Sequence, residues 1–82
     1  MTKQQIIVVV HSNYAEGTTD AYAFWDEKIA KESVNADVET EVKSLTEEGY
    51  KPAVLRRPSG VTVFVPDSDI YYEWEILNTT LE

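Results

Sequence analysis

Four carboxylates near the C-terminus have the spacing most suggestive of binding chemistry. Glu73 and Glu75 lie two residues apart in a segment with a strand-like pattern, and Asp67 and Asp69 continue the same parity if they are extended. Side chains two residues apart on a strand project from one face, about 6.6 Å apart. Phosphates along one strand of DNA follow one another on a comparable scale. The spacing therefore predicts a row of carboxylates able to enter a groove built for nucleic acid.

A catalytic or metal-binding role finds little support. His11 is the single histidine, and it is followed directly by Ser12. Neighbours on a strand point to opposite faces, so these two residues and Asp20 do not converge as a catalytic triad. With one histidine and no cysteine, zinc is disfavoured, and the acidic turn lacks the glycine and final glutamate of a calcium loop. We expect no catalytic residue, no metal and no cofactor, and an enzyme using His11 is a distant alternative.

Charge is distributed unevenly along the chain, whose formal net charge is −8. Residues 37–50 carry five acids and one base, residues 51–65 carry three bases and no acid, and residues 66–82 carry five acids and no base. Such a field repels phosphate backbones and anionic lipids and attracts basic proteins. We expect Arg56 and Arg57 to neutralise acids across a neighbouring strand rather than to bind phosphate. Direct binding to nucleic acid or membrane is not expected.

Length and composition predict a single domain over residues 1–82. The chain contains no cysteine. Small secreted domains usually depend on disulfides, so this composition favours a reducing compartment. The apolar run from Ile6 to Val10 is too short for a signal peptide or a membrane span. We therefore expect a cytoplasmic protein.

The first half of the chain predicts one strand and the start of a helical region. Residues 5–11 contain five consecutive β-branched residues without polar alternation, which predicts a central strand covered on both faces. A helix should follow, capped by Thr19 or Asp20 and interrupted near Asn35. The apolar stripe of this helix comprises Tyr22, Trp25 and Ile29 at helical spacing.

The second half predicts another helix and three strands. A helix is favoured over residues 37–48, ending at Gly49, with a strand as the alternative there. Gly60 is expected to supply a positive φ in a tight turn. The predicted strands of an antiparallel meander are residues 51–57, 61–65 and 70–77. The expected fold is α+β, in the order β-α-α-β-β-β, with a four-stranded, largely antiparallel sheet and two helices on one face.

Together these patterns predict a small acidic protein that binds and inhibits another protein. The expected mechanism is occlusion of a basic, nucleic-acid-binding surface, as in the DNA mimics of phages and mobile elements, an analogy of composition alone. The alternative is a structural module that assembles, as a homodimer for example, through the apolar part of the open sheet face. The expected partner-binding residues are Asp67, Asp69, Glu73, Glu75, Tyr71, Phe64, Glu39, Glu41, Glu47 and Glu48.

Overall fold

Residues 4–81 form a five-stranded sheet with one long helix against it. The computed structural model describes residues 4–81. The elements in chain order are β1 (Gln4–Asn13), β2 (Thr18–Phe24), α1 (Glu27–Glu47), β3 (Ala53–Arg57), β4 (Gly60–Phe64) and β5 (Tyr71–Leu81). The strand order across the sheet is β2-β1-β5-β4-β3, and every neighbouring pair is antiparallel.

Helix α1 begins and ends at recognisable local signals. Asp26 is the N-cap, and its carboxylate accepts hydrogen bonds from the backbone N–H groups two and three residues further on, at 2.8 and 3.3 Å. At the other end Gly49 adopts a φ of 93°. The N–H groups of Gly49 and Tyr50 donate to carbonyls of the last helical turn, both at 3.0 Å. This pair of bonds is a Schellman motif, and the predicted helix end at Gly49 is confirmed.

The hydrophobic core lies between α1 and one face of the sheet. Trp74 is the largest of the fully buried side chains, and it stands between His11 on β1 and Val61 on β4. Burying an aliphatic or aromatic side chain of this kind stabilises the fold by roughly 1.5–3 kcal/mol. The buried hydrophobic residues are Ile7, Val9, Ala30, Val34, Val38, Leu45, Val61, Val63, Val65 and Trp74.

The predicted β-α-α-β-β-β order, with four strands and two helices, is wrong. Residues predicted to open the first helix form strand β2, so Thr19 and Asp20 lie inside a strand and do not cap a helix. A turn over residues 14–17, in which Gly17 has a φ of 69°, returns the chain antiparallel to β1. Tyr22 then pairs with Val9 in the sheet. Pairing with β1 therefore overrides the helical spacing of the apolar residues.

The region predicted as two helices contains one. Residues 37–47 are helical, as expected, but they belong to α1, which begins ten residues earlier. Asn35 does not interrupt the helix; its side-chain oxygen accepts a hydrogen bond from Arg56 at 2.9 Å. The stripe that packs on the sheet starts with Ala30, Val34 and Val38, at i, i+4 and i+8.

The predicted antiparallel meander of the second half of the chain is confirmed, and the predicted burial of both faces of β1 is not. Strands β3, β4 and β5 form the expected antiparallel meander. Strand β1 lies inside the sheet, between β2 and β5. Its two faces differ, because Ile7 and Val9 are buried in the core, whereas Val8 and Val10 are only half-buried on the opposite face. The expectation that both faces of this strand are covered is wrong.

Candidate partner-binding surface

The face of the sheet turned away from α1 is the candidate binding surface, and we call it the open face. Side chains alternate along each strand, so residues in register with one another share a face. The residues in this register lie on the side opposite to Ile7 and Trp74. They are Thr19, Ala21 and Ala23 from β2, Val8, Val10 and Ser12 from β1, Tyr71, Glu73, Glu75 and Leu77 from β5, Gly60, Thr62 and Phe64 from β4, and Ala53, Leu55 and Arg57 from β3.

Large apolar side chains stand exposed on the open face. Leu55, Leu77 and Tyr71 have 55%, 49% and 38% of their surface exposed. The Tyr71 ring packs edge-on against Tyr14, with ring centres 5.0 Å apart, and tilts toward Phe64 at 6.2 Å. Tyr71, Tyr14 and Phe64 thus form one apolar group, and exposed apolar groups are typical of surfaces that contact another protein. Tyr71 and Phe64, both predicted as anchors, are brought together here.

A row of three residues crosses the middle of the open face. Arg57 pairs with Gly60 across β3 and β4, and Gly60 pairs with Glu75 across β4 and β5. The Arg57 guanidinium reaches along this row and forms an ion pair with Glu75 at 3.2 Å. Its other terminal nitrogen donates to the hydroxyl of Thr62, which is 2% exposed. The arginine therefore neutralises Glu75 and satisfies a buried hydroxyl at the same time.

Gly60 makes this row possible by having no side chain. Its φ is not in the positive region, so the predicted role in a left-handed turn is wrong. A Cβ atom at this position would overlap the backbone carbonyl of Trp74 and lie 2.9 Å from the Arg57 guanidinium. Sequence reasoning noticed the glycine and missed this role, because the row appears only when strand register is known.

Glu73 is the carboxylate of β5 with polar, uncharged neighbours. Its cross-strand partners are Ser12 on β1 and Thr62 on β4, whereas Glu75 is reached by Arg57. Glu73 and Glu75 do share one face, with the spacing of alternate strand residues. The two carboxylates are therefore unequal, since the negative charge of Glu75 is largely compensated within the fold.

Asp67 and Asp69 do not extend the row of carboxylates. Residues 66–69 form the turn between β4 and β5, and Asp67 adopts a φ of 61°. The hydroxyl of Ser68 holds this turn, donating to the Val65 carbonyl at 2.7 Å and accepting from the Ile70 N–H at 3.1 Å. Both aspartates are exposed beside the Phe64–Tyr71 end of the open face.

The predicted helix acids lie on the other side of the sheet. Glu39 and Glu47 belong to α1, and Glu48 is its C-cap; all three are exposed. Glu41 is half-buried and lies near Tyr72. Because α1 covers the face opposite to Glu73, one flat partner surface cannot contact both sets. The helix acids therefore add to the long-range field of the protein and lie away from the open face.

An aromatic cluster lies beneath the helix, on the side away from the open face. The His11 ring centre is 4.5 Å from that of Trp74 and 6.2 Å from that of Tyr72. Burial, followed by the carboxylates of Glu41 and then Glu16, raises the pKa of the Tyr72 hydroxyl above its usual value. Ser12 faces the opposite side of the sheet from His11, as adjacent strand residues do. This cluster belongs to the core and its border.

A shallow cleft of about 230 Å³ lies between α1 and the β3–β4 hairpin. Its floor is apolar, with Val34, Val61 and Ile76, and Lys31 and Arg56 stand at its rim. Lys31 pairs with Glu27 at 3.1 Å, and Arg57, which also lines the cleft, pairs with Glu75. Arg56 donates to the neutral side chain of Asn35. Two of the three cations lining the cleft are therefore neutralised within the fold.

Comparisons with known proteins identify no relative. No family model, curated protein or solved structure matches the chain. Within residues 4–81, acidic and histidine side chains do not gather in threes as metal ligands would. The helix of the described part of the chain is not apolar enough to cross a membrane. The chemistry of the open face is therefore the basis for a functional proposal.

Proposed function

We propose that this protein binds a basic partner protein through its open face and occludes a surface that the partner uses for nucleic acid. The observation that carries the proposal is the setting of Glu73, a carboxylate without a cationic neighbour in register, on the same face as exposed Leu55, Leu77 and Tyr71. Tyrosine is among the residues enriched at interface hot spots, and exposed leucines on the same face add apolar area. A cytoplasmic location is part of the same proposal.

The charge of the whole protein supports a basic partner over a second copy in this position. Two chains of formal net charge −8 repel one another, and a basic surface attracts either one. Electrostatic attraction of this kind speeds association and weakens as salt is added. The second candidate function is self-association through the open face. It would use the same apolar residues, and the repulsion between two negatively charged chains would weaken it.

In this proposal only a few carboxylates take the place of nucleic-acid phosphates. Glu75 is paired with Arg57, and Asp67 and Asp69 turn away from the line of β5. The surface therefore offers Glu73 and the turn acids together with apolar anchors, rather than a long ladder of free carboxylates. We expect a salt dependence equivalent to a few ion pairs, with apolar contact supplying much of the affinity.

Capture and competition test this proposal. Tagged protein is used to capture proteins from a lysate of the source organism at low salt. The captured protein is identified and purified, and its binding is measured in competition with duplex DNA. Glu73→Lys should weaken binding at least tenfold, and Leu77→Ser should weaken it as well. Glu39→Lys is the matched control, because it makes the same charge change at an exposed site on the opposite side.

Two outcomes would overturn the proposal. If Glu39→Lys weakens binding as much as Glu73→Lys, attraction depends on net charge and no particular surface is used. If the captured protein binds DNA and this protein simultaneously, without competition, occlusion is the wrong mechanism. Circular dichroism of each variant shows whether a loss of binding reflects a loss of fold.

A further inference from the structure

Strand β2 forms an edge of the sheet that lacks the usual protection. It pairs with β1 on one side, and among the described residues no strand pairs with its other side. Six of its seven residues are exposed. The strand contains no proline and no lysine, and Asp20 is its single charged residue. Free edges of this length attract other strands, and natural proteins usually block them with such residues.

The opposite edge of the same sheet is protected. Strand β3 has five residues, two of which are Arg56 and Arg57, and Pro52 and Pro58 flank it on either side. Proline cannot donate a ladder hydrogen bond, and edge charges resist pairing with a second strand. The two edges therefore differ in a way that marks β2 as the pairing edge.

We propose that β2 pairs antiparallel with β2 of a second copy, about a two-fold axis through Ala21. Ala21 is the central residue of Thr18–Phe24, so this register pairs every residue of the strand. Thr18 then faces Phe24 of the second copy, and Thr19 faces Ala23. An isologous contact of this kind closes on itself and produces a dimer.

The same register avoids the one like-charge contact that β2 can make. With the axis at Ala21, Asp20 lies opposite Tyr22 of the second copy. A shift that centres the pairing on Asp20 would place the two carboxylates opposite one another, which is unfavourable. The residues on the open-face side of β2 are Ala21, Ala23 and Thr19, which are small enough to pack without displacing either sheet.

Pairing at β2 would give a continuous ten-stranded sheet with two open faces side by side. The open-face contacts described above stay accessible, because the edge and the face are different surfaces. The two copies still repel at long range, with a formal net charge of −8 each. Added salt should therefore strengthen the dimer, whereas it should weaken binding to a basic partner.

Single cysteines introduced into this cysteine-free chain test the pairing. In the proposed register the two copies of residue 21 have Cα atoms about 4.5–5.5 Å apart, which suits a disulfide. Residue 23 pairs with residue 19, so two copies of residue 23 are about 14 Å apart along the strands. Ala21→Cys should form disulfide-linked dimers under mild oxidation, and Ala23→Cys, at another exposed alanine on the same face, should not.

Analytical ultracentrifugation of cysteine-free protein supplies an independent measurement. Wild-type protein should show a monomer–dimer equilibrium that shifts toward dimer with salt, and Ala21→Lys should raise its dissociation constant about tenfold or more, because the axis brings the two lysines together. Ala23→Lys should have a smaller effect. Equal cross-linking by the two cysteine variants, or a wild-type protein that stays monomeric at high salt and high concentration, would overturn the inference.

Discussion

The contact between Arg57 and Thr62 provides the sharpest test of how the open face is held together. The Thr62 hydroxyl is buried, and Arg57 is the donor that satisfies it. Arg57→Met keeps a side chain of similar length and removes the guanidinium. The change leaves the hydroxyl unpaired in the protein interior, at about 1–3 kcal/mol. It also removes the pair with Glu75, which is about one-third exposed and contributes roughly 0.2–1 kcal/mol.

We therefore expect Arg57→Met to lower the free energy of unfolding by about 1–4 kcal/mol. Thr62→Val removes the hydroxyl and keeps the shape of the side chain. In the wild-type background it deprives Arg57 of an acceptor and should destabilise the protein slightly. In the Arg57→Met background it removes the unpaired hydroxyl, and it should restore stability. The coupling energy between the two sites should be about 1 kcal/mol or more.

Urea denaturation followed by circular dichroism, on the wild type, both single variants and the double variant, measures this coupling. Midpoints should change while the slopes stay equal, since the area exposed on unfolding is the same. If Thr62→Val destabilises the Arg57→Met protein as much as the wild type, the two effects are additive. Additivity would show that the hydroxyl finds water or another partner, and our account of the row would be refuted.

Three further changes have expected outcomes. Gly60→Ala should destabilise the protein more than Gly49→Ala in thermal unfolding, because the first creates an overlap with backbone, whereas the second adds only the strain of a positive φ, about 1 kcal/mol. Asp26→Ala should cost about 1 kcal/mol of unfolding free energy, through loss of the N-cap. The pKa of Tyr72 is raised above 10.0 in the folded state. The protonated Tyr72 hydroxyl therefore contributes its full stabilisation below pH 10, and this stabilisation is lost as the pH rises through the folded-state pKa. Tyr72→Phe should therefore lose less stability between neutral and strongly alkaline pH than the wild type in urea titrations.

The sequence predicts strands and helices correctly where the local residue pattern and the tertiary contacts favour the same secondary structure. The period-two pattern after Gly49 predicted three antiparallel strands, and these form β3, β4 and β5. The Schellman end of α1 depends on residues within one turn, so a single glycine is enough to predict it. Residues 37–47 are helical for a similar reason, since Val38 and Leu45 follow helical spacing and are buried against the sheet.

Strand β2 shows why local pattern fails at an edge. Tyr22, Trp25 and Ile29 have helical spacing, yet all three are exposed, Trp25 at 71%. Their spacing carries no information about the core, because they do not reach it. The useful signals were Gly17, which permits the hairpin, and Asp26, which caps the helix that follows.

The candidate site depends on contacts between residues of three different strands, β3, β4 and β5. Arg57 and Glu75 are eighteen residues apart, and β4 separates their strands, so an arginine would ordinarily meet the side chain of the strand between them. Gly60 occupies that position and leaves the path open. The sequence shows a basic segment, a glycine and an acidic segment, and predicts that bases and acids neutralise one another. The register of the strands decides which glutamate is ion-paired. If β4 were shifted by two residues, Thr62 would replace Gly60 between Arg57 and Glu75, and its side chain would block the ion pair. The identity of Glu73 as the available carboxylate is therefore a property of the fold, and the sequence pattern treated both glutamates as equal.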